Sequence, residues 1–298
     1  MRLCARVLLT FIALGSALPA SAQLVGAKGG PIVYGHHHVN ATSIDEHKKF
    51  WVTALGGALV KAGTNNAEIV KFHNALVFMR AQKPTGGTKG STVDHIGLSV
   101  PNLRQVVDRI KANGYRMVTS AEAPANIKVV DEIGVVDGGP VSGIAYAMGP
   151  DDVKVEIVEL KSQTVPVASH HLHFFGPNKE MQAWYIQTFG AMATASGNPA
   201  AFISAGLPGL GMNFSPATSA PAGTHGRALD HIGFEVKGLD AFVDKLEAQG
   251  IQAAWRIETE IVDLRRGTQQ EPLGIRTAFI ADPWGTYIEL TEGLDKVN

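Results

Sequence analysis

The sequence predicts an α+β fold of four strand–helix–strand–strand–strand units, two to a domain. Three observations predict it. Thr92-Val93-Asp94-His95-Ile96-Gly97-Leu98-Ser99-Val100 recurs as Ala228-Leu229-Asp230-His231-Ile232-Gly233-Phe234-Glu235-Val236, and a repeat of this kind marks duplicated supersecondary units. Each copy runs into a helical pattern closed by glycine, Leu103 to Gly114 and Leu239 to Gly250. The 298 residues include 33 Gly and 15 Pro, which call for many turns and short strands rather than a helical bundle.

The N-terminus is Met1-Arg2, then after Arg6 the apolar run Val7 to Leu18 and the small-residue site Ala20-Ser21-Ala22. This is the pattern of a signal peptide over 1–22, so a secreted or periplasmic location is expected. Cys4, the one cysteine, lies inside it, leaving a mature chain without thiols in which any metal must be held by His and carboxylate. No later segment is apolar for long enough to span a bilayer, and no membrane contact is expected after signal removal.

The first unit opens at His36-His37-His38-Val39-Asn40-Ala41 and continues into Glu46 to Gly56, with Phe50, Trp51 and Leu55 apolar. The second is the Asp94-His95 copy, whose helix carries Val106, Val107 and Ile110 at helical spacing. The third opens at His170-His171-Leu172-His173 and runs into Glu180 to Gly190; the fourth is the Asp230-His231 copy. Alternating runs such as Ala75–Phe78, Gly143–Tyr146, Val153–Val158 and Thr286–Leu290 supply the remaining strands. Gln163-Thr164-Val165-Pro166 reads as a linker, so the domains are expected at 32–162 and 168–294. Thr85 to Gly90 and Ser215 to Gly226 are Gly/Pro/Ser/Thr-rich connections between the units of each domain.

Lys and Arg number 26 against 27 Asp and Glu, a net charge of -1, so no polyanion-attracting field exists and nucleic acid is not an expected partner. The 11 histidines carry the chemistry instead. His36, His95 and Glu156 lie 59 and 61 residues apart, and His171, His231 and Glu289 lie 60 and 58 apart. Strand parity turns His95 away from Ile96, Leu98 and Val100, and Glu156 away from Val155 and Ile157. Each domain is therefore expected to gather two imidazoles and one carboxylate on one face of its sheet. That donor set suits a divalent ion with open positions, typical of Fe(II) but usable by Mn, Ni, Co or Zn. His38 and His173 share parity with the first histidine of their strands and are candidate alternative ligands or general bases. Spacing leaves His36 and His38 open as the ligand, although motif register favours His36. His37 and His170 are expected to be structural, His47 a helix-surface residue and His73 a strand-edge residue, and His225 is a candidate lid residue. Arg265-Arg266-Gly267 is a candidate anion clamp or a solvated turn.

Asp94 to Leu103 resembles the first-strand motif of the vicinal oxygen chelate superfamily, and Phe279 to Leu290 resembles its metal-carboxylate hairpin. That superfamily includes glyoxalase I, extradiol dioxygenases, and fosfomycin- and bleomycin-resistance proteins. The resemblance implies paired βαβββ modules and a metal bound by His36, His95 and Glu156 and by His171, His231 and Glu289. It implies a small-molecule substrate held through two adjacent oxygens, in a monomer or homodimer. The function expected on this resemblance is a metal-dependent dioxygenase, lyase or isomerase; the alternative is a sequestering protein of the bleomycin-resistance type. Tyr146 stands ten residues before Glu156, where extradiol enzymes carry a tyrosine; Phe279 takes that place in the second domain. The places of the additional glutamate of glyoxalase I fall near Val77 and Asn213, neither of them acidic.

Overall fold

The computed structural model describes residues 30–63, 66–257, 260–261, 275–294 and 297. The expected segment 1–22 and the Arg265-Arg266-Gly267 cluster lie outside these residues. No described helix is long and apolar enough to cross a membrane.

All four units form. Unit one is β1 (Ile32–Ala41), α1 (Ile44–Lys48) running into a π-helical turn (Lys49–Ala54), β2 (Ala58–Ala62), β3 (Ala67–Lys71) and β4 (Leu76–Ala81). Unit two is β5 (Val93–Val100), α2 (Leu103–Ala112), β6 (Arg116–Met117), α3 (Thr119–Glu122), β7 (Val129–Val130), β8 (Ile133–Val135), β9 (Gly143–Met148) and β10 (Lys154–Glu159). Unit three is β11 (Ala168–Gly176), α4 (Asn178–Phe189), β12 (Met192–Thr194), β13 (Ile203–Leu207) and β14 (Leu210–Pro216). Unit four is β15 (Leu229–Val236), α5 (Leu239–Ala248), β16 (Ala254–Ile257), β17 (Glu260–Ile261), β18 (Arg276–Ala281) and β19 (Tyr287–Glu292).

Side-chain caps fix two of the helix starts. Ser43 accepts from the Glu46 amide and Asn102 from the Gln105 amide, each satisfying a donor that the first turn leaves free. Gly190 closes α4 with φ 71°, a left-handed residue suited to glycine.

The sheets do not follow the 32–162 and 168–294 division expected from the sequence. Among the described residues, β1 of unit one pairs antiparallel with β15 of unit four, and β11 of unit three pairs antiparallel with β5 of unit two. One sheet runs β17-β16-β18-β19-β15-β1-β4-β3-β2 and the other β12-β13-β14-β11-β5-β10-β9-β8-β7. Chain connection explains the swap. The link 160–167 leads from β10 to β11, and only β5 stands between those strands. At about 4.8 Å per strand this step is roughly 10 Å, well within reach of a short link. Units one and four are then left to pair with each other. The glycine-rich segments near 85–90 and 216–228 are the crossings between the sheets, and they lie side by side. Thr85 donates to the Gly226 carbonyl at 2.9 Å, Ala228 to Gly86 at 2.8 Å and Thr92 to Ala222 at 2.9 Å.

Units one and two, and units three and four, meet through their helices instead. A continuous apolar core runs through all four units, taking in Trp51, Leu98, Val107, Phe174, Phe214 and Phe234. Phe189 of α4 packs on Phe234 with ring centres 4.7 Å apart. Arg109 of α2 donates to the Ala54 carbonyl at the end of the π turn, at 2.8 Å. His47 is not on the helix surface as its spacing suggested: it is fully buried. Its Nε2 meets Asp151 at 3.0 Å and its Nδ1 accepts from Trp51 at 3.3 Å. It pins unit one to the β9–β10 turn of unit two, a contact between distant segments that local spacing does not carry.

Candidate functional site

Residues Ile96, Leu98 and Val100 of β5 enter the main core, so His95, Gly97 and Ser99 turn to the opposite face. The same alternation on β10 places Lys154, Glu156 and Val158 there, with Glu156 in register with Gly97. Across the unit boundary, His171 of β11 is also in register with Gly97, and His173 faces His95. Three strands from two units thus deliver their polar side chains to one point.

At that point Glu156 Oε2 accepts from His95 Nε2 at 2.9 Å and from His171 Nε2 at 3.1 Å. His95, Glu156, His171 and His173 each bring a donor atom to within 4.8 Å of the others. A second cluster repeats the arrangement in the other sheet. There Glu289 Oε2 accepts from His36 Nε2 and His231 Nε2, both at 2.8 Å. All seven residues are buried.

The six residues singled out from the sequence are therefore brought together, but in different groups. His36 does not join His95 and Glu156; it joins His231 and Glu289. His171 does not join His231 and Glu289; it joins His95 and Glu156. The cause is the strand exchange: the neighbour of β5 is β11, and the neighbour of β15 is β1.

Gly97 and Gly233 have a common role in this packing. A Cβ on Gly97 would come within 2.2 Å of the His171 ring, and one on Gly233 within 2.0 Å of the His36 ring. Glycine after Asp-His-Ile is the space into which the histidine of the neighbouring unit lies.

The aspartate before each repeated histidine, not singled out from the sequence, orients it. His95 Nδ1 donates to Asp94 Oδ1 at 2.7 Å and His231 Nδ1 to Asp230 Oδ1 at 2.6 Å. With Nδ1 committed, Nε2 is the nitrogen offered to the cluster. His170 serves His171 in a related way, their Nδ1 atoms lying 2.8 Å apart, so it is a neighbour of the site as well as a structural residue. His37 pairs with the Tyr34 hydroxyl, off the site. The repeated Asp-His pair was the available sequence signal for the two aspartates.

The two clusters have different surroundings. Tyr146 lies directly opposite Glu156 in the β9–β10 pair, its ring 5.6 Å from that of His95. Phe279 lies opposite Glu289 in the equivalent place. His173 belongs to the first cluster and bonds Ser215 through Nε2 at 2.8 Å. His38 stands 4.4 Å from His231 by ring centres and leaves its buried Nε2 without a partner. At the second cluster His225 is a half-exposed rim residue, 3.3 Å from Asp230 and edge-on to the Tyr287 ring. Val77 points into the main core, and Asn213 accepts from Ser204 at 2.9 Å.

Electrostatics divide the histidines into two classes. Burial pushes His95 and His231 down, but hydrogen bonds to Asp94 and Glu156, and to Asp230 and Glu289, outweigh it and raise both above the ordinary 6.5. Burial raises Glu156 and Glu289, but the paired imidazoles overcome this and hold both well below the usual range. Burial lowers His38 and His173, with neighbouring imidazoles adding to the effect. It also lowers His37 to about 3, His170 to about 4, and His47. Tyr146 is raised, first by burial and then by Glu156 beside it.

These directions fix the stability profile of chelator-treated protein. Below pH 6.5 the unfolded chain takes up protons on His37, His38, His47, His170 and His173 that the folded chain refuses, so stability falls as pH falls. Above 6.5 the raised His95 and His231 give the folded chain the greater proton load, and their contribution is lost as pH rises through their folded values. Denaturant melts of the chelated protein across pH 5–9 should show a maximum near pH 6.5–7; a steady rise to pH 9 would contradict the assignment. Gly97→Ala should destabilise the fold by about 1–3 kcal/mol through overpacking against His171, measured by the same melts. Equal stability of variant and parent would contradict the close approach.

Residues 169–290 match the model of the Glyoxalase/Bleomycin resistance protein/Dioxygenase superfamily. No curated protein matches the chain. Among solved structures, glyoxalase I from Zea mays is similar at 14% identity and a TM-score of 0.62, covering 89% of this chain and 93% of its own. A predicted dioxygenase from Bacillus subtilis is similar at 13% identity and a TM-score of 0.57, covering 87% of this chain and 84% of its own. Residues 169–290 are thus similar to a domain of the Glyoxalase/Bleomycin resistance protein/Dioxygenase superfamily, and the chain as a whole has the fold of the glyoxalase I structures.

Proposed function

We propose that the protein is an exported, divalent-metal-dependent enzyme of the glyoxalase/dioxygenase type. It acts on a small molecule bound through adjacent oxygens. One observation carries this reading: in each cluster a single carboxylate oxygen accepts from two imidazole Nε2 atoms. His95 and His231 have Nδ1 already engaged by aspartate, so a cation taking the place of the protons on Nε2 would meet neutral imidazoles and an ionised carboxylate, the forms a divalent ion binds. His95, Glu156 and His171, with His173 as a fourth donor, would hold one ion; His36, His231 and Glu289 would hold the other. Bound there, the ion supplies Lewis acidity toward substrate oxygens.

The chain's own residues set what can follow. Tyr146, kept neutral by burial and by Glu156, has a hydroxyl proton to donate to a substrate oxygen beside the first cluster. His173 is a neutral base on the same face, its Nε2 bonded to Ser215. Among the described residues neither cluster contains a second carboxylate, and Val77 and Asn213 supply none. A carbon-to-carbon proton shuttle of the glyoxalase I kind lacks its second carboxylate, which favours oxygen-using chemistry over isomerisation. Tyr146 favours the first cluster for that chemistry over the second, where Phe279 stands. The signal-peptide pattern over 1–22 supports export. A sequestering protein is the second reading; its need for shape alone does not account for two oriented His/Glu clusters.

Metal analysis of the purified chain separates these readings. His95→Ala and His171→Ala should each remove the same ion, and His36→Ala and His231→Ala the other. Unchanged metal content in all four variants would overturn the enzyme reading.

A further inference from the structure

We infer that Lys154 is a positioning residue of the first cluster, fixing Asp94 and through it the His95 ring, and that Glu122 anchors this lysine to the segment folded over the site. The inference rests on the metal reading above and assigns a role toward the ion to residues outside the donor set.

Lys154 shares its face of β10 with Glu156 and is almost fully buried, 4% exposed in its side chain. A buried ammonium persists only with compensating partners. It has two, Asp94 Oδ1 and Glu122 Oε2, the latter at 2.8 Å. The Asp94 oxygen that Lys154 contacts is the one that accepts from His95 Nδ1. Glu122 also takes Lys89 at 2.6 Å, and Lys89 is largely exposed. A chain of alternating charges thus runs from the surface through Glu122, Lys154 and Asp94 to His95.

Glu122 does not come from the sheet. It ends α3, at the start of the segment between β6 and β9 that lies over the site's face. Val118, Ile127 and Val136 of that segment pack on Ile144, Tyr146 and Val158, and Tyr146 and Val158 lie on the strands that border the cluster. Docking of the segment and aim of the imidazole are joined by one lysine.

The second cluster does the same task locally. Tyr287 stands two residues before Glu289, where Lys154 stands before Glu156. Asp230 is held instead by the Gly226 amide at 2.7 Å and by Asn40 Nδ2 at 3.2 Å, with Arg80 3.8 Å away and His225 at 3.3 Å. Without Lys154, the buried Asp94 loses its cation and faces Glu122, which keeps Lys89, across an empty place. Asp94 then turns away, and the His95 ring loses its restraint. Loss of such an outer partner typically weakens ion binding 10- to 100-fold.

The test is cobalt(II) titration of the full chain, followed by calorimetry and by the visible d–d absorption. In the His231→Ala background, which retains only the first cluster, Lys154→Met should weaken binding 10- to 100-fold and alter the absorption band, with Lys154→Arg recovering most of the loss. In the His95→Ala background, Lys154→Met should leave the second cluster's affinity within twofold. Circular dichroism checks folding. If Lys154→Met does not fold, Glu122→Gln decides the matter, a several-fold weakening supporting the inference and an unchanged affinity overturning it. No cobalt binding by the His231→Ala protein would overturn the metal reading and this inference with it. Cobalt binding that Lys154→Met leaves within twofold would overturn the role of Lys154 alone.

Discussion

The sharing of one carboxylate oxygen by imidazoles from two different units governs the rest of this molecule. Glu156 and Glu289 lie on last strands, His95 and His231 on the adjacent first strands of the same units, and His171 and His36 on first strands of other units. No single unit can assemble such a cluster. The antiparallel pairing of β5 with β11 and of β15 with β1 is therefore the step that creates both sites. The glycines at 97 and 233 keep room for it by leaving no Cβ beneath the incoming ring.

Burying these groups is costly unless each polar atom finds a partner. The Asp-His pairs meet that demand at one end of the His95 and His231 rings and the shared glutamate at the other. Among the described residues, the second cluster keeps two buried nitrogens without partners, His36 Nδ1 and His38 Nε2. The first cluster has His170 beside His171 and Ser215 beside His173. The two sites thus share a donor set and differ in support: Tyr146, Lys154 and a covering segment at one, Phe279 and Tyr287 at the other.

Much of this was legible in the sequence. The repeated Asp-His-Ile-Gly strand gave the four units, and period-two alternation separated His95 and Glu156 from the apolar faces of their strands. The fold class followed from the same residues. Partner choice between strands was not legible, because periodicity describes one strand's faces and says nothing of its neighbour. Hence the donors were identified and their grouping was not. The burial of His47 escaped for the same reason, since its partner Asp151 lies in a turn of another unit. Lys154 has the alternation of a solvated strand residue; only the arrival of Glu122 from α3 makes it a buried, paired cation.

The most direct measurement is anomalous diffraction from crystals of the cobalt-loaded protein. Two peaks are expected, one bounded by His95, Glu156 and His171 and the other by His36, His231 and Glu289. Peaks confined to surface histidines, with both glutamates still bonded directly to their imidazoles, would contradict the claim that strand exchange between units builds two ion sites.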